Sequence, residues 1–124
     1  MKKIITSQNA PGAVGPYSQA VKVSGTLYVS GQLPINPQTG VMPNSAEEQA
    51  EQSLKNVQAI IDEAGFSLKD VVKTTVLLQN ISDFDAVNAV YEKYISEECP
   101  ARACYQVAAL PKGASVEIEA IAEK

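Results

Sequence analysis

PARACYQVAALPKGASVEIEA, residues 100–120, reads as two strands joined by the turn LPKGA, and its alternation decides the fold. Strands are expected over 102–109 and 115–122. In the second, Val116, Ile118, Ala120 and Ala122 fall on one face, and Glu117, Glu119, Ile121 and Glu123 on the other, because successive side chains of a strand point to opposite sides. One face is continuous and apolar, as a layer of helices requires. The helices are found upstream. Ala50, Leu54, Val57, Ile61 and Ala64 recur at four, three, four and three residues, the period of one helical stripe. Ser45 and Glu48 have capping-box spacing before that stripe, and Gly65 is placed to stop it. A second helix is expected from a Ser82 cap, with Phe84, Val87, Tyr91 and either Tyr94 or Ile95 inward. DVVKTTVLLQN, residues 70–80, is β-branched and reads as a strand, and AVKVSGTLYVSG, residues 20–31, as a hairpin turning at Ser24-Gly25. The order is hairpin, helix, strand, helix, strand, strand. This is an α+β domain with the helices on one face of the sheet.

The other sheet face is mixed. Arg102, Cys104, Gln106 and Ala108 form one alternate set, and Val71, Lys73, Thr75, Leu77 and Gln79 another. Such a face meets either solvent or another subunit, and Leu77, Ile121 and Cys104 among the charges favour an oligomer.

The totals exclude several functions. The chain has 124 residues, 45% of them apolar, enough for one domain with its own core. Ten basic against fourteen acidic residues leave a net charge of −4 with no Lys/Arg run, so a nucleic-acid partner is not expected. There is no histidine, which removes the usual zinc ligand and the common neutral-pH base. Two cysteines, Cys99 and Cys104, cannot close a structural zinc site alone and are expected as free thiols. No stretch is apolar enough to span a membrane, and MKKIITSQ falls short of a signal-peptide core, so the chain reads as cytoplasmic.

Several residues admit both a structural and a functional reading. Arg102, pinned behind Pro100, either pairs with a neighbouring glutamate or offers its fork to a ligand carboxylate. Glu117 and Glu119 are solvated strand charges, or carboxylates that orient or deprotonate water. Tyr17 in GPYSQA is a packed aromatic or a pocket cover. Gly31, after Ser30, is a turn residue or a place where a ligand approaches backbone groups. Asn88, beside the second helix's buried stripe, is a satisfied interior amide or a contact to substrate or interface. Cys104 is a buried strand thiol or, beside Arg102, an activated thiolate.

In combination they are more specific. GPYSQA, VSGQLP, Asn88 in the second helix and PARACYQVAALPKGASVEIEA, in this order over the whole chain, resemble the Rid family of YjgF-like proteins, and most closely its RidA-type deaminases. The resemblance implies a chorismate-mutase-like (ferredoxin-like) mixed sheet with two helices on one face. It also implies a homotrimer with three clefts between subunits, and no metal or organic cofactor. The implied reaction is hydrolysis of 2-imino acids, chiefly 2-iminobutanoate and 2-iminopropanoate, to 2-keto acids and ammonia. The alternative is a trimeric module that binds a small carboxylate without turnover. Carried over by residue, the resemblance makes Arg102 the substrate-carboxylate ligand and Glu117 the holder of the attacking water, assisted by the Cys104 carbonyl. It lines the site with Tyr17, Ser30 and Gly31, with Asn88 at its edge. Ala103 departs from the pattern, where a hydroxyl residue commonly follows the arginine.

Overall fold

A computed structural model describes residues 1–124. Six strands, β1 (Lys2–Ile5), β2 (Ala20–Val23), β3 (Thr26–Gln32), β4 (Val71–Leu78), β5 (Ala101–Gln106) and β6 (Val116–Glu123), form one mixed sheet in the order β1-β2-β3-β6-β4-β5. Two helices, α1 (Ala46–Glu63) and α2 (Phe84–Tyr94), complete the α+β fold. The expected hairpin is β2–β3, antiparallel about Ser24-Gly25, with Ser24 left-handed at φ 53°. The last strand, β6, inserts between β3 and β4 and is antiparallel to both, whereas β4 and β5 run parallel.

The alternation of β6 appears as expected. Val116, Ile118, Ala120 and Ala122 are buried against the helices, with Leu54, Val57, Ile60 and Ile61 of α1 in the same core cluster. The start of α1 is fixed by Ser45, whose hydroxyl accepts from the Glu48 N–H at 3.1 Å and meets the Glu48 carboxylate at 3.0 Å. Its end is fixed by Gly65 at φ 82°. There the Gly65 N–H reaches the Asp62 carbonyl and the Phe66 N–H the Ile61 carbonyl, a Schellman motif.

Four expectations are corrected. First, β1 lies in MKKIITSQ, where no strand is expected, and it pairs along β2. Second, Ser82 does not cap α2. It sits inside a one-turn 3-10 helix, Ile81–Asp83, and both its N–H and its hydroxyl donate to Asn80 Oδ1, so Asn80 caps that turn, while α2 starts at Phe84 behind Asp83, whose side chain makes no capping bond. Third, Val71 is buried, not on the face of Lys73, Thr75 and Leu77, because a register shift between Val71 and Lys73 turns it to the other side. Fourth, Arg102, Cys104 and Gln106 do not join the mixed face. They align with Thr74, Val76 and Leu78, which point to the helices, and it is Ala101, Ala103 and Tyr105 that share the open face with Lys73, Thr75 and Leu77. No helix is long and apolar enough to cross a membrane.

Candidate functional site

The expected site residues fall in two places. The first is the edge of the sheet. Pro100 delivers the chain into β5, the terminal strand, so that Arg102 faces α2. Asn88 lies one turn beyond Phe84, and its Oδ1 accepts from Arg102 Nη1 at 2.7 Å. The rings of Tyr91 and Phe84 flank the guanidinium, at 4.8 and 5.7 Å from Cζ. Arg102 thus has a neutral amide as its hydrogen-bond partner instead of the glutamate that the ion-pair reading required. No carboxylate neutralises its charge. A cleft of ≈ 400 Å³ opens beside it, bounded further by Ile95, Cys99 and Pro100.

Cys104, two residues on, packs half-buried against the core. Burial pushes its thiol up, and the Arg102 charge opposes this less strongly, so the thiol form is favoured and the activated-thiolate reading has no support. Its backbone points elsewhere. The Val107 N–H is spent on the Leu78 carbonyl of β4, so alternation along β5 turns the N–H and C=O of Cys104 toward the free edge.

The second place is the far end of β3. The β3–β6 register shifts between Val29 and Gln32, and Ser30 and Gly31 occupy that irregularity. Ser30 is tied to the preceding loop: its hydroxyl donates to the Ser18 carbonyl at 2.6 Å and its N–H to the Gln19 carbonyl at 2.9 Å. Gly31 has a steric reason. A Cβ built there meets the Glu117 carboxylate, with Cδ only 2.9 Å away, so the missing side chain lets Glu117 lie across the strand. Burial raises the Glu117 carboxyl above the ordinary range, and the neighbouring Glu119 charge raises it further. Tyr17, half-exposed, closes the outer side. Together with Ser30, Gly31, Glu117 and the apolar Leu33 and Ile35 it lines a cavity of ≈ 630 Å³.

Glu119, weighed beside Glu117, lines the cavity with it, whereas sequence reading missed Gln19 and Lys112. Buried Gln19 accepts from the Ser7 N–H at 2.6 Å and donates to the Pro11 carbonyl at 2.7 Å, which holds the loop carrying Tyr17. Lys112 lines the cavity from the turn before β6 and is left-handed at φ 59°. The signal for both was at hand, since each lies inside a quoted segment, GPYSQA or LPKGA.

One chain does not join the two places. Glu117 aligns with Leu77, and Leu77 with Tyr105, so β4 separates Glu117 from the strand of Arg102. That is about 10 Å across two strand spacings, plus about 10 Å along the strand for the three residues from 105 to 102, with the side chains on opposite faces.

The sequence matches the Endoribonuclease L-PSP family over residues 7–124. The RutC family protein y4sK of Sinorhizobium fredii is 60% identical over 94% of both chains. The human 2-iminobutanoate/2-iminopropanoate deaminase is 50% identical over 98% of this chain and 90% of its own. Among solved structures, Escherichia coli TdcF with bound serine superposes with a TM-score of 0.96 at 46% identity, covering 98% of each chain. Fold, sequence and the order of the motifs therefore agree: the chain belongs to the Endoribonuclease L-PSP family, the Rid family of YjgF-like proteins.

Proposed function

We propose that this protein is an imine deaminase that hydrolyses 2-iminobutanoate and 2-iminopropanoate to the 2-keto acids and ammonia, in the cytoplasm, at clefts between subunits of a homotrimer. Relatives of that name from human and Escherichia coli, 50% and 49% identical over 98% of the chain, give the substrate class. The observation that carries the reading is an arginine whose guanidinium is held by an amide and an aromatic face but by no carboxylate. Such a fork is ready for the carboxylate of a 2-imino acid.

The separation of the two places supports this assembly. On the open face Tyr28 aligns with Ile121, and Leu77 with Tyr105 and Glu117; Tyr28 and Tyr105 are half-exposed. A second copy covering this face buries those side chains and sets its own β5 edge, with Arg102, against the cavity holding Glu117.

The chemistry then needs few groups. Arg102 binds the carboxylate by charge-assisted hydrogen bonds worth about 1.5–3 kcal/mol each. Glu117 and the outward Cys104 carbonyl hold a water about 3 Å from C2. The water oxygen bonds to C2 as the C=N electron pair of the iminium moves to nitrogen and Glu117 takes the water's proton. Glu117 returns that proton to the carbinolamine nitrogen, whose C–N bond breaks as C=O forms, the hydroxyl proton leaving with ammonia as ammonium. A carboxylate raised toward the working pH accepts and returns that proton more readily than an ordinary one, and with Glu119 it favours the cationic iminium. Tyr17, Ser30 and Gly31 shape the pocket, and Asn88 steadies Arg102. No residue here needs a metal or organic cofactor. The family's name refers to RNA cleavage, but a net charge of −4 and the lack of histidine supply neither a phosphate-neutralising surface nor an imidazole for it.

The test is 2-keto acid release from 2-iminobutanoate generated in situ by an amino-acid oxidase, for wild type and Arg102→Ala. Acceleration by wild type alone supports the proposal. Product binding without acceleration replaces it by the carboxylate-binding module.

A further inference from the structure

Arg102 sits on an edge strand and is exposed, so a long, rotamer-rich side chain there would sample many orientations if nothing held it. Three contacts hold it. Asn88 takes one Nη, and the Tyr91 ring lies against the guanidinium at 4.8 Å, with Phe84 behind at 5.7 Å. The Tyr91 ring is itself anchored. Its hydroxyl is 2.7 Å from Thr74 Oγ1, both residues are buried, and Thr74 is the register partner of Arg102 across β4–β5. Helix and sheet thus close a triangle of Thr74, Tyr91 and Arg102. Because the hydroxyl is anchored on the strand beside Arg102, the ring plane that carries the cation is set by the sheet and not by α2 alone.

We infer that Tyr91, locked to Thr74, is a positioning residue that fixes the plane of the Arg102 guanidinium so that its unused N–H groups face the substrate carboxylate. This rests on the carboxylate-clamp role of Arg102 proposed above. Burial raises the Tyr91 phenol, with the Thr74 hydrogen bond and the Arg102 charge opposing, so the hydroxyl keeps its proton across the working range of pH. Holding the fork in advance lowers the ordering cost of binding, so the effect belongs in affinity and not in the chemical step.

Tyr91→Phe and Thr74→Val cut the lock but keep the ring, and Tyr91→Leu removes the cation–π face. For 2-iminobutanoate KM, and for Kd of the product 2-oxobutanoate, the lock variants are expected to rise about 3-fold and Tyr91→Leu about 10-fold, with kcat within about 2-fold. The double variant Tyr91→Phe/Thr74→Val is expected to be no worse than either single one, and Tyr91→Leu to add nothing in an Arg102→Ala background. Wild-type affinity in folded lock variants overturns the inference. So does an equal Tyr91→Leu penalty with and without Arg102, which marks a merely structural residue. If Arg102→Ala itself changes neither binding nor turnover, it is the clamp that fails. Positioning is then read without ligand from the Arg102 guanidinium resonances of the free protein. Slow rotation in wild type and fast rotation in Tyr91→Leu support the triangle, and equal rotation in both overturns it.

Discussion

Gly31→Ala tests the site at its tightest point. A Cβ on residue 31 meets the Glu117 carboxylate directly, with Cδ at 2.9 Å and Cγ at 3.3 Å. Ordinary carbon contacts lie near 3.5–4.0 Å, so Glu117 must rotate away. The conflict involves Cγ as well as the carboxylate, so relief moves the functional group by about 1 Å or more, a displacement that costs about 10²-fold where a reacting group must be placed. The backbone is under no such pressure, because Gly31 is not left-handed. We therefore expect Gly31→Ala to fold and bind 2-oxobutanoate normally while kcat for 2-iminobutanoate falls about 10²-fold. The assay is initial-rate keto-acid release with thermal unfolding measured alongside. Glu117→Gln/Gly31→Ala should lose no more than the worse single variant, since both act through one carboxylate. Wild-type kcat in a folded Gly31→Ala would refute the argument that Gly31 exists to admit Glu117.

Other outcomes follow from the same geometry. Arg102→Lys keeps charge but not the fork and should lower kcat/KM about 10-fold or more, the equivalent of one charge-assisted hydrogen bond, with Arg102→Ala lower still in the same assay. Glu117→Gln should gain thermal stability over wild type as pH rises. The folded-state pKa of Glu117 is raised, so its neutral form is favoured by folding and stability is lost as pH climbs from the ordinary carboxylate range through that raised value; a melting difference that stays constant as pH rises above the ordinary carboxylate range would contradict this. Cys104→Ala should retain activity within about 2-fold, because the proposed hold on water uses only its carbonyl and removing the sulfur of a half-buried side chain costs little; a thiol reagent should modify exposed Cys99 ahead of Cys104.

The parts of the fold legible in the sequence are those governed by local periodicity. The α1 stripe, its Ser45 and Gly65 ends, the hairpin and the two faces of β6 all depend on neighbours within a few residues. The parts missed depend on partners. No alternation rule locates the irregularity that turns Val71 inward, since strict period two puts it beside Lys73. Alternation alone sets Arg102 and Cys104 on the mixed face, because the sequence shows which residues of a strand alternate but not which set faces the helices. That choice is made by the parallel register with β4. Four-residue β1, with both lysines exposed, has almost no apolar pattern to read. The site was legible as residue types, through the Rid resemblance, whereas the fit of Glu117 over Gly31 and the Thr74 contact of Tyr91 belong to three dimensions.

The separation of Arg102 from Glu117 has a physical advantage. Were the two adjacent in one chain, they would pair, and a carboxylate substrate would have to displace Glu117 from the guanidinium. With β4 between them and their side chains on opposite faces, each charge stays available, and in the proposed assembly a second copy brings a ligand-sized gap between them. Mixing tests this directly. Arg102→Ala chains carry an intact Glu117, and Glu117→Gln chains an intact Arg102, so after denaturation and refolding together about a quarter of the clefts in a head-to-tail ring receive both intact groups. Activity in the mixture, absent from each parent alone, is expected at about a quarter of wild type. If the mixture is as inactive as its parents although the chains have co-assembled, both groups act from the same chain and the cleft between subunits is not where the water attacks.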